Sequence, residues 1–128
     1  MKEQFVTYEI ALKLKEKGFN EPCLANYCDK DLIPYRGYPD EGDEDSNFST
    51  TVNENKTSLW ASAPLWQQVI DWLRTEHNIY LWVYKYYDDE VEKDLYRFDM
   101  KNGGFYSSFY NTSEEARQAA IEHALTLI

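Results

Sequence analysis

The change of rhythm at Asn78 constrains this chain more than any other feature. Residues 62–87, SAPLWQQVIDWLRTEHNIYLWVYKYY, repeat their apolar side chains at helical spacing and then at strand spacing. Before Asn78, Leu65, Trp66, Val69, Ile70, Trp72 and Leu73 form one stripe, with Gln67, Gln68, Asp71, Arg74 and Thr75 opposite. Ser62 is placed to cap this helix, and Pro64 falls in the first turn, where a missing N–H costs nothing. After Asn78 the period drops to two. Ile79, Leu81 and Val83 fall on one strand face, and Tyr80, Trp82, Tyr84 and Tyr86 on the other. A helix handing over directly to a half-buried strand requires a layered, mixed architecture.

The flanking segments agree. Residues 7–17 read as a helix capped by Thr7 and stopped by Gly18, with Tyr8, Ile10, Ala11, Leu12 and Leu14 inward. Lys15 interrupts that face and can snorkel out of it, and Phe19 is placed to fold back on the helix end. Residues 23–28 and 32–35 read as two short strands around the turn Asp29-Lys30-Asp31. Leu59-Trp60 is placed to staple the start of the central helix. Residues 88–92 form an acidic turn, and strands follow at about 94–100 and 105–110, joined by the turn signal Asn102-Gly103-Gly104. Thr112 with Glu115 is a capping-box pair. It opens a helix over about 113–127, whose inner face is Ala116, Ala120, Ile121, Ala124, Leu125, Leu127 and Ile128.

These readings give an α+β fold: an antiparallel sheet with a three-stranded meander at about 79–87, 94–100 and 105–110. Helices at about 7–17, 63–77 and 113–127 are expected mainly on one face. At 128 residues a single domain is expected, interrupted by an irregular loop at about 37–57. That loop carries five acids among residues 40–45.

Charge narrows the partners. A formal net charge of −10 leaves no basic patch for phosphate backbones or anionic membranes, so neither nucleic acid nor membrane is an expected direct partner. No apolar run is long enough to cross a bilayer, and the charged start MKEQFVTYEIALKLKEKGF does not read as a signal peptide. With two cysteines and no disulfide framework, a cytoplasmic location is expected.

Motifs for catalysis and metals are weak. Cys23 and Cys28 would point to opposite faces of one strand, and His77 and His123 stand apart, so no zinc site is read. DEGDEDSNFSTT lacks the sixth-position Gly and twelfth-position Glu of a calcium loop and reads as solvated. Ser107 and Ser108 have no nucleophile-elbow glycines, and no phosphate-binding or dinucleotide pattern occurs. No cofactor is expected, and the chain does not read as an enzyme.

One feature rises above background. Residues 80–110 hold 11 of the 21 aromatic residues, and Tyr80, Trp82, Tyr84 and Tyr86 alternate on one face. Such a face is covered by residues 22–60, by a second copy in a homodimer, or by a partner protein. The expected binding residues are Tyr80, Trp82, Tyr84 and Tyr86, with Asp43, Glu44 and Asp45 of the acidic loop. A second reading makes the acidic chain a nucleic-acid mimic that blocks a DNA-binding protein. A third is a small ligand-binding or catalytic domain with a pocket lined by Trp82 and Tyr84.

Three blocks, FVTYEIALKLKEKGFNEPC, PLWQQVIDWLR followed by HNI, and EEARQAAIEHALTLI, resemble a family of small uncharacterised proteins from gut anaerobic bacteria and their phages. The resemblance implies an accessory protein of a phage or mobile element, and it brings no site residues with it.

Overall fold

A computed structural model describes residues 4–34, 60–101, 105–106 and 108–128. The chain gathers into two compact units, Met1–Trp66 and Gln67–Ile128. The architecture is α+β, with two antiparallel sheets where the sequence suggested one.

In the first unit, helix α1 (Tyr8–Glu16) starts at Thr7, whose hydroxyl accepts from the Ile10 amide at 3.3 Å. It ends at Gly18, which at φ 87° takes the left-handed conformation a side chain resists. There the Phe19 amide donates to the Leu14 carbonyl at 2.9 Å and the Gly18 amide to Lys15 at 3.2 Å. Phe19 is folded back and buried, as expected. Ile10, Ala11 and Leu14 are buried, but Leu12, expected inward, is exposed. Ile10, Ala11 and Leu14 share one side of the turn, and Leu12 lies outside that arc.

Strands β1 (Ala25–Cys28), β2 (Asp31–Pro34) and β3 (Trp60–Ser62) form a sheet in the order β2-β1-β3. Ser62 was expected to cap the central helix and Leu59-Trp60 to staple it, yet Trp60–Ser62 pairs antiparallel with β1 and Ser62 is buried in that strand. The ladder continues through the Ala63 amide to the Ala25 carbonyl, and the Val6 amide donates to the Pro64 carbonyl, each at 3.0 Å. Backbone pairing on both sides holds residues 60–64 extended, so Pro64 precedes the helix. Lys15 does reach out of its helix: its ammonium donates to the Trp60 carbonyl at 2.8 Å. Tyr27 is buried edge-on to Tyr8 at 5.5 Å, and its hydroxyl donates to the Val6 carbonyl at 2.7 Å.

The second unit begins within helix α2 (Trp66–His77), where Val69, Trp72 and Leu73 are buried. Asn78, at φ 56°, reverses the chain, and the Ile79 amide donates to the Leu73 carbonyl at 3.0 Å. The sheet is β4 (Tyr80–Asp88), β5 (Lys93–Lys101) and β6 (Phe105–Tyr106), in the order β4-β5-β6. β4 and β5 run in unbroken antiparallel register from Tyr80↔Lys101 to Asp88↔Lys93. The third strand of the expected meander is shorter than residues 105–110: two residues of β6 plus a separate Tyr96–Tyr110 bridge. Residues 102–104, expected as its turn, lie outside the described residues.

Helix α3 (Ser113–Leu125) starts at Thr112, whose hydroxyl accepts from the Glu115 amide at 3.1 Å. It packs on β4 and β5 with Ala116, Ala120, Ile121, Ala124 and Leu125 buried. Alanines at this spacing let the helix backbone approach the sheet closely. Leu127 falls beyond the helix and is exposed, and Ile128 is half-buried, so neither completes the inner face as expected.

Candidate functional site

The alternation in β4 separates two unlike sheet faces. Ile79, Leu81, Phe98 and Met100 are buried, with Phe98 against Tyr110 and His123 at centroid distances of 6.4 and 6.5 Å. Val83, expected in this floor, is only half-buried. The other face stays in water: Tyr80 is 41%, Trp82 47% and Tyr86 45% exposed, with Tyr84 half-buried between them.

Register assigns this face its cross-strand neighbours: Lys101 opposite Tyr80, Asp99 opposite Trp82, Arg97 opposite Tyr84 and Leu95 opposite Tyr86. Phe109 joins it, 5.3 Å from the Tyr86 ring. The Arg97 guanidinium lies 5.0 Å from the Phe109 centroid, within cation–π range. The face is thus a run of rings with one cation packed into it. One oxygen of Asp99 is buried without a hydrogen-bond partner among the described residues.

The β4–β5 turn adds charge at one end of this face. Asp88 accepts from the Glu90 amide at 2.8 Å, fixing a turn from which Asp89, Glu90, Val91 and Glu92 project into solvent. The other acidic residues expected to bind, Asp43, Glu44 and Asp45, lie outside the described residues.

A cleft of about 480 Å³ lies within the same unit, between α2, β4 and α3. Ile70, Leu81, Trp82 and Val83 supply its apolar lining, and Gln67, Arg74, Ser113 and Arg117 its polar one. Tyr84, expected beside Trp82 in any pocket, does not line it. Arg74 is half in water and paired with Asp71 at 3.5 Å, which also accepts from Gln67 at 3.1 Å. Burial pulls the Arg117 guanidinium below its ordinary pKa, and the Glu114 charge opposes that shift. Two guanidinium groups and apolar side chains dominate the lining, a composition suited to an anionic group on an apolar body.

Little in the sequence marks this cleft. A signal existed at Arg117, which stands three and four residues before the buried Ala120 and Ile121 and so falls within the inner face of its helix. For Arg74 and Gln67 there was none, because both sit on the expected wet side of α2.

Among the described residues no group of three or more His, Cys, Asp or Glu side chains is placed to hold a metal ion. Cys23 is buried ahead of β1 with its thiol toward the Glu21 carbonyl, whereas Cys28 is half-buried at the strand's end. His77 and His123 are half-buried, His77 edge-on to Trp72 at 4.6 Å. No described helix is long and apolar enough to cross a membrane. Compared with protein-family models, curated proteins and solved structures, the chain has no significant match.

Proposed function

We propose that this is a non-catalytic accessory protein that acts by binding another protein through the outer face of β4 and β5. The observation that carries the reading is the exposure of Tyr80, Trp82, Tyr86 and Phe109 together on one side of a sheet whose other side is core. Tyr and Trp anchor interfaces because they supply large contact area with few rotatable bonds and a polar tip. The acidic turn beside them and the chain's net charge of −10 select a partner whose apolar patch is flanked by lysines or arginines. The location is cytoplasmic, and the role is of the kind phages and mobile elements encode, as the three sequence blocks imply.

The test compares the immobilised wild-type chain with a Tyr80→Ala/Trp82→Ala/Tyr86→Ala variant in host lysate. A protein retained by the wild type at low salt, released by high salt and absent from the folded variant supports the reading. Identical retained proteins on both chains would count against it.

A further inference from the structure

The edge of β4 that faces away from β5 carries backbone groups whose direction the ladder fixes. Tyr96 exchanges both backbone hydrogen bonds with Tyr110, at 2.8 and 2.7 Å. In an antiparallel ladder, a residue bonded this way to one neighbour turns its N–H and C=O away from the other. Lys85, opposite Tyr96, must therefore turn its own groups away from β5. With the register unbroken, Val83 and Leu81 do the same. Their N–H and C=O point to an edge where no described strand pairs.

The cleft lies along that edge. Consecutive strand side chains point to opposite faces, so a cavity touched by Leu81, Trp82 and Val83 in succession runs beside the strand. Open edges are commonly blunted by prolines, charges or bulges, yet residues 80–84 contain none of these. Across the cleft stand the donors of Arg74, Arg117, Gln67 and Ser113. Among the described residues no carboxylate lines it; Asp71 pairs with Arg74, and the Glu114 charge acts on Arg117.

We propose that an extended acidic peptide from a partner protein adds to β4 as a further strand. Its backbone pairs with Leu81 and Val83, and an Asp or Glu carboxylate meets Arg74 and Arg117. Main-chain bonds supply affinity in this mode, and the flanking groups supply selectivity. A second copy of β4 fits less well, since it brings Lys85 and two more arginines to a groove that already holds two. The groove shares only Trp82 with the aromatic face, so Tyr80→Ala/Tyr86→Ala tests the face alone and Arg74→Gln the groove alone.

Hydrogen exchange on the whole chain, free and with peptides selected from a random displayed library, tests this. Expected in the free protein are fast-exchanging amides at Leu81 and Val83 beside slow ones at Trp82 and Tyr84. The Leu81 and Val83 amides should become protected in the complex. Selected peptides should carry Asp or Glu and lose binding when alternate backbone nitrogens are methylated. Arg74→Gln and Arg117→Gln should each weaken binding about tenfold, as loss of a charge-assisted hydrogen bond does. The exposed Arg74→Gln keeps the test decisive if Arg117→Gln fails to fold. Leu81 and Val83 amides already protected in the free chain would overturn the proposal. So would a library without binders, binders lacking acidic residues, or protection arising only from concentration-dependent dimerisation.

Discussion

Replacing Tyr27 by phenylalanine removes one oxygen atom and leaves the ring in place. The ring is only 6% exposed and keeps its edge contact with Tyr8, so no cavity opens. What is lost is the 2.7 Å bond to the Val6 carbonyl, in a residue that is itself fully buried. Such a bond contributes about 1 kcal/mol net, and stranding its buried acceptor raises the cost to about 1–3 kcal/mol. Urea denaturation near neutral pH, about pH 7, should show that loss as a lower midpoint with an unchanged slope. A pH series then isolates the hydroxyl. Burial, and secondarily the charge of Glu9, raise the Tyr27 pKa in the folded chain. The folded state therefore holds this proton more tightly than the unfolded chain does. The contribution is complete below the unfolded value of about 10 and is lost as pH rises through the folded value. Above about pH 10 the wild type should lose its advantage by up to about 1.4 kcal/mol per unit, while Tyr27→Phe does not share that loss. A variant within about 0.3 kcal/mol of wild type at neutral pH, or a difference that does not change with pH, would refute the reasoning.

Two further outcomes test the helix ends and the core. Gly18→Ala should destabilise by about 1 kcal/mol in urea denaturation, and Gly18→Asn by less. Among the described residues, chain neighbours apart, nothing lies within 4 Å of the added Cβ, so the cost is that of backbone conformation. Ile121→Ala, at a fully buried position beneath the β4–β5 sheet, should cost about 2–5 kcal/mol and lower the thermal midpoint clearly.

The switch at Asn78 was legible because both periodicities are local: each needs only the backbone geometry of its own element. The same is true of the caps at Thr7 and Thr112 and of the stop at Gly18, which depend on neighbours within a single turn. The outward placement of Tyr80, Trp82 and Tyr86 followed once Ile79 and Leu81 were assigned to the core. The expectation for residues 60–64 failed for a non-local reason. Residues 60–64 look like the approach to a helix, because Ser62 and Pro64 are good signals for its first turn. Their pairing with β1 is a contact with residues far back in the chain, and it overrode the local preference.

The candidate groove divides in the same way. That β4 is a strand with two unlike faces is written in the alternation of its side chains. That it stands at an edge, with Arg74 and Arg117 brought to the side where Leu81 and Val83 aim their backbone groups, is not. Hydrogen-bond phase along a ladder is set by the partner strand, and convergence of α2, β4 and α3 by packing. Sequence alone thus determined which elements form and which sides are apolar, since those depend on covalent geometry and solvent. Tertiary structure decided which polar groups meet, because segments distant in the chain acquire positions only relative to one another.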